Sequence, residues 1–104
     1  MNPIAVIDVE TTGLNPYRHD RIVEIAIVHV HPTEGILSEI ETLVNPERDI
    51  GPSSIHGLSA TDIIHAPSFA EVAAHLVDAL RGSVALAGHN LRFDTSFLRA
   101  EFKR

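Results

Sequence analysis

The stretch Ile4-Ala5-Val6-Ile7-Asp8-Val9-Glu10-Thr11-Thr12-Gly13-Leu14 constrains this chain more than any other. Its short apolar run, rich in β-branched residues, suits a buried strand and is too brief for a helix. Asp8 and Glu10 lie two apart, so on an extended backbone both side chains leave one face, about 7 Å apart at ~3.3 Å per residue. Two carboxylates on one face at the end of an apolar strand repel each other and lose hydration unless a divalent cation neutralises them. The plainer alternative is a strand end running out into solvent. Thr11-Thr12-Gly13 favours the cation. Gly permits a tight backbone path, and two hydroxyls beside exposed amides suit a phosphate or the end of a nucleotide.

The rest of the composition narrows what such a site can be. A chain of 104 residues makes one domain, large enough for a single core, and excludes a two-domain reading. With no cysteine, thiolate metal sites and disulfides are excluded, leaving carboxylate and imidazole as the strong ligands. The seven histidines do not cluster at metal-ligand spacing. A formal charge of −6 argues against broad, charge-driven coating of nucleic acid. A nucleic-acid enzyme stays open, because carboxylate-bound cations supply positive charge locally. No apolar run is long enough to span a membrane and no secretion signal is visible, so the expectation is a cytoplasmic protein.

Past Leu14, Asn15 to Asp20 forms a turn, and 22–30 and 36–44 read as strands joined by a short loop around His31 to Gly35. Strands one to three are expected to form an antiparallel meander. The third carries Glu39 and Glu41 on one face, as near a sheet edge. Pro46, Gly51, Pro52 and Gly57 predict an ordered loop over 45–59. Ser59 to Asp62 can cap a short helix, and Ser68-Phe69-Ala70-Glu71 is a capping-box pattern. Phe69, Val72, Ala73, Leu76, Val77 and Leu80 then recur at helical spacing up to Gly82, with His75 and Asp78 on the solvated side. The short strand 83–88 should run parallel to the first, by the crossover rule. His89 to Asp94 follows at its carboxyl end, where sites collect in α/β sheets. From spacing alone, Asp94 is equally a site carboxylate and a helix-start acid. His56, between apolar neighbours, reads first as a packed residue bonded to backbone.

Taken together, D-V-E-T-T-G at Asp8 to Gly13, I-H-G-L at Ile55 to Leu58 and H-N-L-R-F-D at His89 to Asp94 resemble the DEDD exonucleases. The nearest branch holds the epsilon-type proofreading subunit of bacterial replicative DNA polymerase. The resemblance implies an α/β, ribonuclease H-like fold and 3′ to 5′ hydrolysis of DNA or RNA with two Mg²⁺ or Mn²⁺ ions. It further implies that Asp8, Glu10 and Asp94 are the catalytic, metal-binding carboxylates. By the same resemblance Thr11, Thr12, Gly13 and Leu14 line the terminal nucleotide, with His56, Asn90 and Phe93 near the substrate. The implied partners are a single-stranded 3′ end and a DNA polymerase.

The sequence departs from that family in one respect. Its members carry a fourth Asp, preceded by a His or Tyr, several tens of residues past the third motif, whereas only ten residues follow Asp94 here and none is Asp, His or Tyr. The chain is therefore expected to be a single, incomplete exonuclease domain over 1–104, ending after the third carboxylate motif and at best weakly active alone. Truncation is also expected to uncover Phe97, Leu98 and Phe102 and to favour self-association through them or through an open sheet edge. The competing function is a non-catalytic ribonuclease H-like module that binds nucleic acid or a protein without cleaving. An unrelated phosphotransferase of the same fold is disfavoured by Thr11-Thr12-Gly13 and H-N-x-x-F-D.

Overall fold

The computed structural model describes residues 3–50 and 56–104. The expected loop at Gly51 and Pro52, and Ile55 of the I-H-G-L motif, lie outside the described residues. In β1 (Ile4–Thr11) apolar alternation does its expected work: Ala5, Ile7, Val9 and Thr11 are buried while Val6 and Asp8 face outward. β2 (Ile22–His31) and β3 (Gly35–Leu43) follow as an antiparallel meander, and β4 (Ala85–Ala87) pairs parallel with β1. The sheet order is β3-β2-β1-β4, the mixed sheet read from the sequence.

One face of this sheet is covered. Val9 sits opposite Ile25 and Ile7 opposite Ile27, so four large apolar groups line a continuous inner surface. Among the described residues three helical segments are fully bounded, α1 (Ala60–Ile63), α2 (Phe69–Leu80) and α3 (Leu91–Lys103). Two of them pack on the strands, α2 against β2 and α3 against β1. The helices bring Val72, Leu76, Phe69, Phe97 and Leu98 into the same core. Each such side chain taken fully out of water contributes roughly 1.5–3 kcal/mol.

The helix starts follow local chemistry. Ser68 Oγ accepts the Glu71 N–H at 3.3 Å and the Glu71 carboxylate accepts the Ser68 N–H at 3.0 Å, a reciprocal cap at the start of α2. At α1 the Asp62 carboxylate likewise accepts the Ser59 N–H, at 2.6 Å, and also the Ser59 hydroxyl at 3.0 Å. His75 and Asp78 are solvent-facing, as expected.

One expectation fails. Phe97 is fully buried and Leu98 nearly so, leaving only Phe102 of that trio partly exposed, edge-on to Phe69 with centroids 5.1 Å apart. The reason is that α3 lies flat on the same inner surface as α2 and shares its core. More exposed than Leu98 are several apolar groups elsewhere, among them Val84 and Leu86 by β4, Ile36 and Leu37 on the β3 edge, and Leu14 and Tyr17 past β1. Among the described residues no helix is long and apolar enough to cross a membrane.

Candidate active site

The site forms where β4 stops short. Its ladder with β1 covers only Ile4 to Val6, so the edge of β1 beyond Val6 is left to Gly88 and the first turn of α3. Gly88 lies so close that a Cβ built there would stand 2.9 Å from the Ile7 carbonyl oxygen and 3.0 Å from Asp94 Oδ2. Neither backbone oxygen nor a buried carboxylate can swing aside. Gly88→Ala is therefore expected to cost about 1–3 kcal/mol, the range for overpacking, measured as a lower urea midpoint. An unchanged midpoint would show a looser approach.

Through that gap Asp94 reaches β1. It occupies the first turn of α3 and is 2% exposed, with Oδ2 buried and without a hydrogen-bond partner among the described residues. Burial first, then the charges of Asp8 and Glu10, push its pKa up to about 6. The Val9 backbone N–H and His89 offset part of that rise. Asp94 is thus both a helix-start acid and a neighbour of the β1 carboxylates.

Asp8 and Glu10 leave the outer face of β1, Asp8 exposed and Glu10 half-buried. Burial raises the Glu10 pKa, the Asp8 charge adds to it, and His56 opposes. Across the ladder Glu10 sits opposite Glu24, whose own pKa is raised by burial and then by Glu41, Glu10 and Asp8. Like charges directly opposite on a sheet destabilise it, so this outer face concentrates negative charge at a cost to the fold. Sequence reasoning left Glu24 as an ordinary strand residue. Its role in this field depends on the β1–β2 register, which shifts between Glu10 and Thr11 and has no local signature.

The acids do not close into a cage, and among the described residues no three carboxylate or imidazole groups are assembled at metal-ligand spacing. The donor set still suits a hard cation. It is all oxygen, it includes an orphaned buried carboxylate oxygen, and Asp8 opens to solvent.

The remaining candidate residues divide. The Thr11 hydroxyl donates to the Gly13 carbonyl at 2.6 Å. The Thr12 hydroxyl donates to Asp20 Oδ1 at 2.8 Å and accepts the Arg21 N–H at 3.1 Å. Both threonines are buried and serve the turn itself. Asp20, which sequence reasoning took only as a turn former, closes that turn. It accepts the Asn15 N–H at 2.9 Å and Arg48 at 3.3 Å, and a Cβ on Gly13 would meet its carboxylate at 2.5 Å. Burial works against the charge of Asp20, yet these hydrogen bonds and Arg48 hold its pKa below the usual value.

His56 Nε2 lies 2.7 Å from the Ile50 carbonyl and Nδ1 2.9 Å from the Leu58 N–H, so both ring nitrogens are engaged with backbone. That is the backbone-bonded histidine of the plainer reading, placed within reach of the Glu10 charge. Leu14, 79% exposed, lines a groove with Asn90 and Phe93. Asn90 precedes α3 without using its side chain as a cap. Phe93 is anchored on Phe97, with centroids 4.9 Å apart.

Residues 5–104 match the RNase_T exonuclease family model. A DNA polymerase III subunit epsilon-like protein of Rhodobacter capsulatus is 41% identical over 97 residues, covering 90% of this chain and 14% of the relative. DNA polymerase III subunit epsilon of Escherichia coli is 34% identical over 103 residues, covering 93% of this chain and 42% of the relative. The chain thus spans less than half the length of these curated relatives. In fold, it is similar to E. coli exonuclease I solved with a dT13 oligonucleotide, with a TM-score of 0.84 at 20% identity over 99% of this chain and 24% of that one.

Proposed function

The chain belongs to the RNase_T exonuclease family, and from that premise we propose that it is the metal-binding and end-binding part of a 3′ to 5′ exonuclease acting on single-stranded DNA or RNA. The observation that carries the reading is Asp94. A carboxylate remote in sequence is buried beside Asp8 and Glu10, with one oxygen unpartnered among the described residues, at a cost that folding alone does not require.

In this reading Asp8, Glu10 and Asp94 hold two Mg²⁺ or Mn²⁺ ions. The chemistry such ions supply when bound is activation of water and neutralisation of charge at the leaving 3′ oxygen of an in-line displacement. Leu14 and Phe93 offer apolar surface to the terminal base, and the uncommitted Asn90 amide faces the same groove. Thr11, Thr12 and Gly13 act by fixing the turn that presents Leu14. His56, with both ring nitrogens engaged with backbone, sits near Glu10 as a fixed neighbour of the site. The proposed setting is cytoplasmic, alongside a DNA polymerase, in keeping with the names of the epsilon relatives.

The test is release of mononucleotides from a 5′-labelled single strand in Mn²⁺, with calorimetric titration of Mn²⁺ alongside. Expected are Mn²⁺ binding and slow release from the 3′ end, both lost in Asp8→Ala. Mn²⁺ binding with no release under any condition would favour the non-catalytic binding module.

A further inference from the structure

Eight cationic side chains occur in this acidic chain, and they divide by location. Arg21, Arg48, Arg81 and Arg104 each pair with a carboxylate. Arg18, Arg92, Arg99 and Lys103 are exposed and pair with none among the described residues. All four unpaired cations fall on one surface. Arg92, Arg99 and Lys103 recur at i, i+7 and i+11 along α3, on one helical face. Opposite them lies the loop Pro16-Tyr17-Arg18. One groove runs past Leu14, Asn90, Arg92 and Phe93, and a second continues past Arg18, Arg99 and Lys103, the two sharing Pro16 and Tyr17 as a common wall. Among the described residues no carboxylate lines either groove.

Like charges gathered on one helix face repel, and a chain with fourteen acidic residues has ample means to pair them. A surface left uncompensated in this way fits a polyanion. Two further observations select nucleic acid over an acidic peptide. The first groove opens at the residues proposed for the terminal nucleotide. The shared wall carries the chain's one tyrosine, 79% exposed, a flat face on which a base can stack. From Arg92 to Lys103 the helix advances roughly 16 Å at 1.5 Å per residue, room for several phosphates of one strand.

We propose that these grooves form a track for the upstream part of a single strand. Arg18, Arg92, Arg99 and Lys103 contact its phosphates, and Tyr17 stacks on a base inside the 3′ end. The strand's polarity rests on the exonuclease reading; binding does not.

The experiment is fluorescence anisotropy of labelled dT12 with the 104-residue protein in EDTA, across a salt series, with an rU12 arm. With four phosphate contacts at ~0.7 each, log K should fall against log salt with a slope of about −2.8. Arg99→Gln with Lys103→Gln, both at exposed and unpaired positions, should reduce that slope by about 1.4. Tyr17→Ala should weaken binding about five-fold or more with the slope kept. Arg81→Gln, at an exposed cation outside both grooves, should leave the slope unchanged, and a twelve-residue poly-glutamate should fail to compete. A slope insensitive to the double substitution, dT12 binding no tighter than dTMP, or effective competition by poly-glutamate would overturn the track. Binding of dT12 in EDTA with no nucleotide released once Mn²⁺ is supplied in excess would count against the exonuclease reading alone, and release in Mn²⁺ with an insensitive slope in EDTA against the track alone.

Discussion

Asp94→Asn is expected to make the protein more stable at pH 8 without divalent cations and to abolish mononucleotide release. The folded Asp94 has its pKa raised from 3.8 to about 6 by burial and by the charges of Asp8 and Glu10. A raised carboxylate stabilises the fold in its protonated form. That contribution is complete below pH 3.8 and is lost as pH rises through about 6. At pH 8 the charged form costs at most about 3 kcal/mol by the 1.36 kcal/mol per pKa unit rule. Solvent screening of the outward-facing Asp8 and Glu10 brings this nearer 1–2 kcal/mol. Asparagine keeps the shape and removes the charge, so its melting temperature should exceed the parent's by about 5–10 °C at pH 8. The gap should close as pH falls to 4. Loss of hydrolysis by 10²-fold or more should accompany it. A variant no more stable than the parent at pH 8 would show that the buried charge is compensated by contacts beyond those described.

A larger stability effect, of opposite sign, is expected at the other end of α3. Glu101 is 3% exposed and accepts Arg21 Nη2 at 2.6 Å, Arg21 Nε at 3.1 Å, the Ile22 N–H at 3.1 Å and Arg104 Nη1 at 3.3 Å. Truncation to alanine leaves the guanidinium and a buried amide without their acceptor. The expected cost is about 3–5 kcal/mol, the range for breaking a buried ion pair from one side. That is a large share of the ~5–15 kcal/mol that holds a domain of this size together. Glu101→Gln keeps the acceptor oxygen and should cost clearly less. The clamp also ties α3 to the strand start beside the Thr12 turn, since Arg21 donates its own N–H to Thr12. Glu101→Ala should therefore loosen Asp94 as well as the fold, seen as faster amide exchange in the first turn of α3. A loss below 1 kcal/mol in urea unfolding would show that the pair contributes little here.

The features legible from sequence were those with short-range causes. The α2 start follows from a Ser and a Glu three residues apart, and the β1 face follows from strict alternation. Asp8 and Glu10 share the outer face of β1 for the same reason. The features that were not legible depend on what arrives from elsewhere. Phe97 and Leu98 read as surface to be covered, because nothing in α3 states that it shares a core with α2. The threonine hydroxyls read as free because Asp20 and the Arg21 N–H, which occupy Thr12, come from the far side of a turn. Glu101 drew no attention at all, since its partner Arg21 lies 80 positions earlier.

The sequence alone determined the meander, the parallel fourth strand, the capped helix and the identity of three acidic candidates, because periodicity and capping act within a few residues. Tertiary structure alone decided that Asp94 is buried against β1, that Glu24 joins the same field, and that the unpaired cations gather on one side of α3. Those outcomes follow from strand register and helix placement, which only the packed core specifies.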